Sequence, residues 1–325
     1  MTAVTDMTSI PAAPKPVARR TPKATFDVVF RNASFLAALL VLALLAGIML
    51  SMIVGGWPAF REFGLGFITS SVWDTQNEQY GAWPAIVGTL STALIALVIG
   101  VPLSLGIAVF LTQLAPPWFK KPVATAIELL AAVPSIIYGM WGLFVFAPLF
   151  AAYVQIPLSN LVEGIPVVGT ILYSRSPSGL GIFTAGIILA FMIVPFIASI
   201  TRDMLEQIPS VLRESAYGIG ATTWEVVRHV LVPQAGVSII GAIMLGLGRA
   251  LGETMAVTFV VGNANRLSAS ILDPGSTIAS RIANEFNEAL GLQLNSLIAL
   301  GCILFFVTFV VLVIARLLVA RVKKF

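Results

Sequence analysis

Charge is scarce in this sequence. Only 10% of its 325 residues are Asp, Glu, Lys or Arg and 58% are apolar, whereas a soluble globular chain carries about 25% charged residues. That balance, with a mean hydropathy of +0.96, excludes an ordinary soluble domain. Cysteine is almost absent too. Cys302 is the single one, so no intrachain disulfide can form, and its place in an apolar run leaves the redox compartment undetermined. The single histidine, His229, excludes a multi-histidine metal site. No Gly-Lys pair occurs, so the chain has no Gly-x-x-x-x-Gly-Lys-Ser/Thr loop to cradle a nucleotide phosphate. It is therefore expected to have no ATPase site, no catalytic residues, no metal and no cofactor of its own.

Long apolar runs are what the sequence does contain. They fall at about Ser34–Val54, Ala85–Leu111, Val123–Phe150, Leu180–Thr201, Gly236–Gly262 and Leu294–Val319, each long enough for a hydrocarbon core of ~30 Å. The first is too long for the core of a signal peptide, roughly 7–15 residues, and reads as a retained helix. Residues 1–30, rich in Pro, Ala, Thr and basic residues, read as a disordered cytoplasmic tail ahead of a membrane domain over 31–325. The segment Ile165–Tyr173, flanked by Pro and Gly, is too short to span.

Basic residues orient the chain. Fourteen fall on one side: five between Lys15 and Arg31, then Lys120, Lys121, Arg202, Arg213 and Arg228, and four between Arg316 and Lys324. Only Arg61, Arg175, Arg266 and Arg281 fall on the other. The positive-inside bias predicts a bacterial inner-membrane protein with both termini cytoplasmic. It also accounts for the net charge of +4 without any nucleic-acid partner. Trp57, Trp73 and Trp83 are expected at the outer interface.

Between the fourth and fifth spans, residues 202–234 form a cytoplasmic loop with folding signals of its own. Pro209 suits a first helical turn. Gly220 supplies a left-handed stop. Thr222 and Glu225 have capping-box spacing, and Pro233 is expected to end the second helix. Trp224, Val227 and Leu231 fall on one apolar stripe. An amphipathic connector would explain the stripe alone. The order Glu214-Ser215-Ala216, Gly220, Val230-Leu231-Val232-Pro233 goes further: it resembles the EAA loop of bacterial ABC import permeases, with conservative changes at Ser215, Val230 and Val232. The resemblance implies that Glu214, Ser215, Ala216, Gly220 and Pro233 couple the permease to a separate ATPase, which binds the ATP and Mg.

The fifth span holds a second constellation, Gly246-Leu-Gly-Arg249-Ala-Leu-Gly252-Glu253-Thr254. Arg249 lies thirteen residues beyond Gly236, roughly 20 Å along a helix at 1.5 Å per residue, close to mid-membrane. A charge there costs at least ~2.5–3.5 kcal/mol and needs a reason. On a continuous helix Glu253 shares its face. The pair could simply neutralise itself. Alternatively Arg249, whose planar fork matches phosphate-like oxygens, belongs to an anion path that Gly246, Gly248 and Gly252 keep open, with Glu253 accepting from a P–OH group.

Residues 246–257 and Glu128–Phe144 resemble the fifth- and third-helix signatures of the permease subunits of bacterial phosphate ABC importers, and Glu214–Gly220 resembles their loop. The third-helix wording and the outer loop at 151–179 favour the subunit type that pairs with a PstA-like permease. The resemblance covers roughly residues 30–320. It implies an all-α polytopic protein with about six transmembrane helices and the type I ABC importer permease fold, forming half of a pore for inorganic phosphate. It further implies a PstB-like ATPase dimer, a PstS-like periplasmic phosphate-binding protein and PhoU in regulation. Glu128 reads as structural, and His229 as a polar contact at the ATPase interface or the lipid headgroups. A permease for another solute and a secondary transporter or channel are the rival readings. Mid-membrane Arg249 disfavours a cation as cargo, and a folded EAA loop has no purpose in a channel.

Overall fold

In the computed structural model the described residues are 23–322 apart from 167 and 176. The tail expected over 1–30 lies outside them up to residue 22, and from Lys23 the chain is helical. Two compact units divide the chain, residues 1–51 and 52–325. Helix α1 (Lys23–Phe63) begins in the first and ends in the second. A short helix α2 (Gly66–Thr69) and a hairpin, β1 (Trp73–Asp74) paired antiparallel with β2 (Gln79–Tyr80), lead into α3 (Trp83–Leu114). Then come α4 (Pro117–Ala131), α5 (Ser135–Val162), α6 (Val168–Leu172) and α7 (Ile182–Glu206). The chain continues with α8 (Ser210–Gly218), α9 (Thr223–Gly252), α10 (Met255–Val260), α11 (Ile278–Glu285) and α12 (Gly291–Val322).

Among the described residues six helices are long and apolar enough to span: α1, α3, α5, α7, α9 and α12. Helix α7 is the hub of the core. Ile188, Leu189, Met192, Ile193 and Ile197 are fully buried there, against Ala93 and Ala96 of α3 and Ala242, Leu247 and Leu251 of α9. Small residues make that approach possible, as expected where lipid offers no hydrophobic drive and packing must supply the attraction. A Cβ at Gly100 would meet Ile193 at 3.0 Å, so α3 and α7 touch through a glycine.

Two spans differ from the sequence expectation. The third was expected over Val123–Phe150, but the helix breaks at residues 132–134. Pro134 biases the residue before it out of the helical region. Helix α4 is thereby a separate piece with no buried residue, and the span starts at Ser135 and continues helically to Val162, well into the expected outer loop. Two π-type turns, Gly142–Phe146 and Ala151–Gln155, lie along it. The fifth span was expected over Gly236–Gly262. It instead begins at Thr223, in the inner loop, and stops at Gly252.

The segments between spans at the hairpin end are tied together by polar side chains. Gln155, fully buried, donates to Ser174 Oγ and the Leu272 carbonyl at 2.9 Å and accepts from the Gly179 amide at 2.7 Å. Buried Asp273 accepts from Ser268 Oγ at 2.7 Å and from the Arg175 amide at 3.0 Å. Trp73 is 7% exposed, so it is a core residue and not the interfacial anchor expected. Its indole donates to Glu285 at 2.9 Å, and the Arg281 guanidinium sits 4.5 Å over its ring.

Arg281 is itself 2% exposed. Nη2 donates to Ser276 Oγ at 2.7 Å, while Nε and Nη1 have no partner. Burial pushes its pKa down to about 10, against a partly offsetting attraction from Glu285. An orphaned buried donor costs ~1–3 kcal/mol, and a desolvated cation–π contact returns about 2. Arg281→Met keeps the bulk and removes both orphans. It should therefore raise the thermal unfolding midpoint of the purified chain in detergent; a lowered midpoint would show that the cation stabilises this corner.

Candidate functional site

The inner loop is built by local hydrogen bonds. Helix α8 ends in a left-handed turn at Gly220, φ +89°. The Gly220 amide donates to the Tyr217 carbonyl at 2.9 Å, and Ala221 to Ala216 at 3.0 Å, the two bonds of a Schellman stop. Thr222 then caps the next helix with Glu225 in a reciprocal capping box, Glu225 Oε2 accepting from the Thr222 amide at 2.8 Å. Both signals sit where the sequence placed them.

Pro233 does not end that helix. A π-type turn over Val227–Leu231 precedes it, and the helix runs on into the membrane as α9. A widened turn accommodates the ring and the missing N–H, so the proline is tolerated inside a continuous element. The loop's second helix and the fifth span are thus one continuous helix. The expected stripe also divides. Val227 and Leu231 are buried with Val226 against Leu205 and Ile208, whereas Trp224 is 67% exposed. Glu214 and Ser215 face outward, and Ala216 is buried. With Ile219 and Tyr217 also exposed, the two helices present an apolar surface away from the core. Between them lies a cavity of about 380 Å³ lined by Ala216, Gly220, Glu225 and His229.

At the other end of α9 the helix stops at Gly252. Glu253 is extended, with ψ 127°, and α10 restarts at Met255. The continuous helix that would have put Glu253 on the face of Arg249 is therefore absent. Glu253 Oε1 accepts from the Ala256 amide at 3.2 Å and so caps α10. Arg249, half-buried, lies 5.6 Å over the Phe196 ring of α7. None of the ion pairs among the described residues includes Arg249 or Glu253. Of the three glycines expected to keep the face open, Gly246 packs on Ile197, while Gly248 and Gly252 have nothing within 4 Å. Backbone left unpaired at membrane depth is tolerated only where protein buries it or a water-filled cavity receives it. An arginine beside such a break, with open glycines on either side, can receive an anion's oxygens.

Sequence reasoning missed the break, although the polar run Gly252-Glu253-Thr254 inside an apolar stretch was its signal. It also missed Phe196, and the partner of Glu128. Glu128 lies on α4, outside the third span, and accepts from Arg202 Nη2 of α7 at 2.7 Å.

The fold and these two sites define the membrane-spanning subunit of a binding-protein-dependent importer. Residues 100–324 match the family of binding-protein-dependent transport system inner membrane components, and the chain belongs to that family. Within it the chain is a member of the PstC group of permeases. It is 53% identical to the phosphate transport system permease protein PstC of Pasteurella multocida over 92% of this chain and 93% of that one. Identity to the PstC of Haemophilus influenzae is 52%, over 92% and 94%. The fold is similar to that in a crystal structure of the bacterial alginate ABC transporter, with a TM-score of 0.59 at 17% identity, covering 93% of this chain and 99% of that one.

Proposed function

We propose that this chain forms half of the pore of an ATP-driven importer that carries inorganic phosphate across the inner membrane. The observation that carries the reading is Arg249, set beside a helix break with open glycines and with Glu253 turned away to cap α10. The PstC relatives name the cargo. Moving a dianion inward against an inside-negative potential costs about 2.3 kcal/mol per charge per 100 mV, so uptake needs a drive that this chain lacks. An ATPase supplies it through Glu214, Ser215, Ala216, Gly220 and Pro233, with both termini of this chain in the cytoplasm. A PstA-like permease completes the pore, a PstB-like pair hydrolyses ATP, a PstS-like protein delivers phosphate, and PhoU regulates.

Glu253 acts in this reading as an acceptor for a P–OH proton, which phosphate and arsenate carry at neutral pH and sulfate does not. In proteoliposomes holding all four kinds of subunit, phosphate uptake should be inhibited by arsenate and not by sulfate. Glu253→Gln keeps an oxygen for the Ala256 amide, so the fold should survive. Losing a charged acceptor is worth about 1.5–3 kcal/mol, and phosphate uptake should fall by roughly tenfold or more, with weaker discrimination against sulfate. Uptake unaffected by the substitution would remove Glu253 from the path; inhibition by sulfate as strong as by arsenate would overturn the P–OH discrimination, and absence of phosphate uptake would overturn phosphate as the cargo.

A further inference from the structure

We infer that Arg202 and Glu128 are positioning residues for transport: their ion pair makes α4 a strut that carries motion of the inner loop to the Arg249–Glu253 break. The inference rests on the proposed coupling to an ATPase.

The chain of contacts is continuous. Helix α8, the outward-facing helix of the inner loop, follows the end of α7 by only a few residues, and Leu205 and Ile208 at that junction are buried. Arg202, in the last turns of α7, is 8% exposed. It donates to Asp203 at 2.6 Å and to Glu128 of α4 at 2.7 Å. One turn further on, Glu206 pairs with Lys120 of α4 at 3.0 Å. Helix α4 is thus held to the end of α7 at two points.

Along that seam lies an open pocket of about 540 Å³ lined by Ile127 and Leu130 of α4 and by Phe191 and Val194 of α7, beside the two ion pairs. Beyond α4 the chain breaks at residues 132–134, and the Tyr138 hydroxyl bridges the break to the Leu130 carbonyl at 2.9 Å. Directly after it, Gly139 of α5 meets α10 so closely that a Cβ there would lie 2.9 Å from Ala256 Cα. Ala256 is the residue whose amide Glu253 holds.

Displacement of α8 therefore reaches the break by two routes. One is helix α9, which carries Arg249. The other is α7, then α4, α5 and α10, which carries Glu253. Unequal motion of the two routes changes the separation of Arg249 and Glu253, and the Arg202–Glu128 pair sets how α4 sits on α7 in the second route.

The test is Glu128→Gln in the complete complex in proteoliposomes. Arg202 keeps Asp203, and the half-exposed Glu128 adds little stability, so assembly should be normal. Substitutions along a coupling route shift coupling by ~2–30-fold. Phosphate uptake should therefore fall about fivefold while ATP hydrolysis stays within about twofold, lowering the ratio of uptake to hydrolysis. An unchanged ratio, whether both rates hold or both fall together, overturns the strut. Should the variant fail to assemble, a second measurement decides. Lys120→Cys and Glu206→Cys, on a Cys302→Ser background, are bridged by a reducible bifunctional thiol reagent. A strut tolerates the bridge, so uptake should stay at least about half that of the reduced form; uptake blocked by bridging and restored by reduction overturns the proposal. The unaltered complex in the same liposomes tests the phosphate reading separately: absence of uptake there overturns that reading, whereas uptake there with an unchanged ratio in Glu128→Gln overturns the strut alone.

Discussion

Arg249→Gln should abolish phosphate uptake while the chain still inserts and the complex still assembles. The structure removes the main reason to expect unfolding, because Arg249 is half-buried and lies over Phe196 with no carboxylate partner among the described residues. Losing it strands no buried charge among the described residues. In the proposed reading, what is lost is a guanidinium fork that meets the anion, and truncating one member of a desolvated charge pair costs about 2–5 kcal/mol, or thirtyfold and upwards in the quantity measured. Arg249→Lys should recover little, since an ammonium lacks the planar bidentate geometry. The measurement is radiolabelled phosphate uptake at equal complex density, alongside a thermal unfolding midpoint. Uptake retained above about half in Arg249→Gln would take the residue out of the path, given the size of the expected loss. A further control is the Arg249→Gln, Glu253→Leu double change. A self-neutralising pair predicts that it restores uptake; the geometry, with the two groups engaged elsewhere, predicts that it does not.

Gly220→Pro should uncouple the permease from its ATPase. Gly220 has φ +89° and donates to the Tyr217 carbonyl. Proline fixes φ near −65° and has no N–H, so both halves of the Schellman stop fail and the angle between α8 and α9 changes. The spans lie outside this turn, and insertion should be normal. Uptake should fall to background, and the ATPase should no longer copurify. Gly220→Ala is the graded control. A Cβ there meets nothing within 4 Å, so the only penalty is the left-handed conformation, roughly 1–2 kcal/mol, and uptake should fall only partially. Normal uptake in Gly220→Pro would mean that the loop does not transmit the stroke.

Much of this arrangement was legible in the residues. Six apolar runs gave six helices long enough to span, and the Gly220 stop and the Thr222–Glu225 capping box formed where their spacing placed them. Each depends on interactions within a few residues, so the local chain suffices. The misplacements have local causes too, but ones that sequence leaves two-valued. Pro134 broke a helix and Pro233 did not, because the π-type turn before Pro233 absorbs what the ring removes. Gly252-Glu253-Thr254 fits a continuous helix and a broken one equally well by spacing. The break comes with α10 packing its Ala256 against Gly139 of another span, a contact that spacing does not reveal.

The sequence alone determined that the chain crosses the membrane, how often, and which loop between spans folds. Transfer of apolar runs and closure of capping bonds are set by neighbours in the chain. Only the tertiary structure decided what the polar side chains meet. Glu128 and Arg202 are 74 residues apart in sequence and 2.7 Å apart in space. Arg249 and Glu253 are four residues apart and hold different partners. In a low-dielectric interior a charge or a donor goes to the partner that packing brings within reach, and that choice depends on how the spans cross.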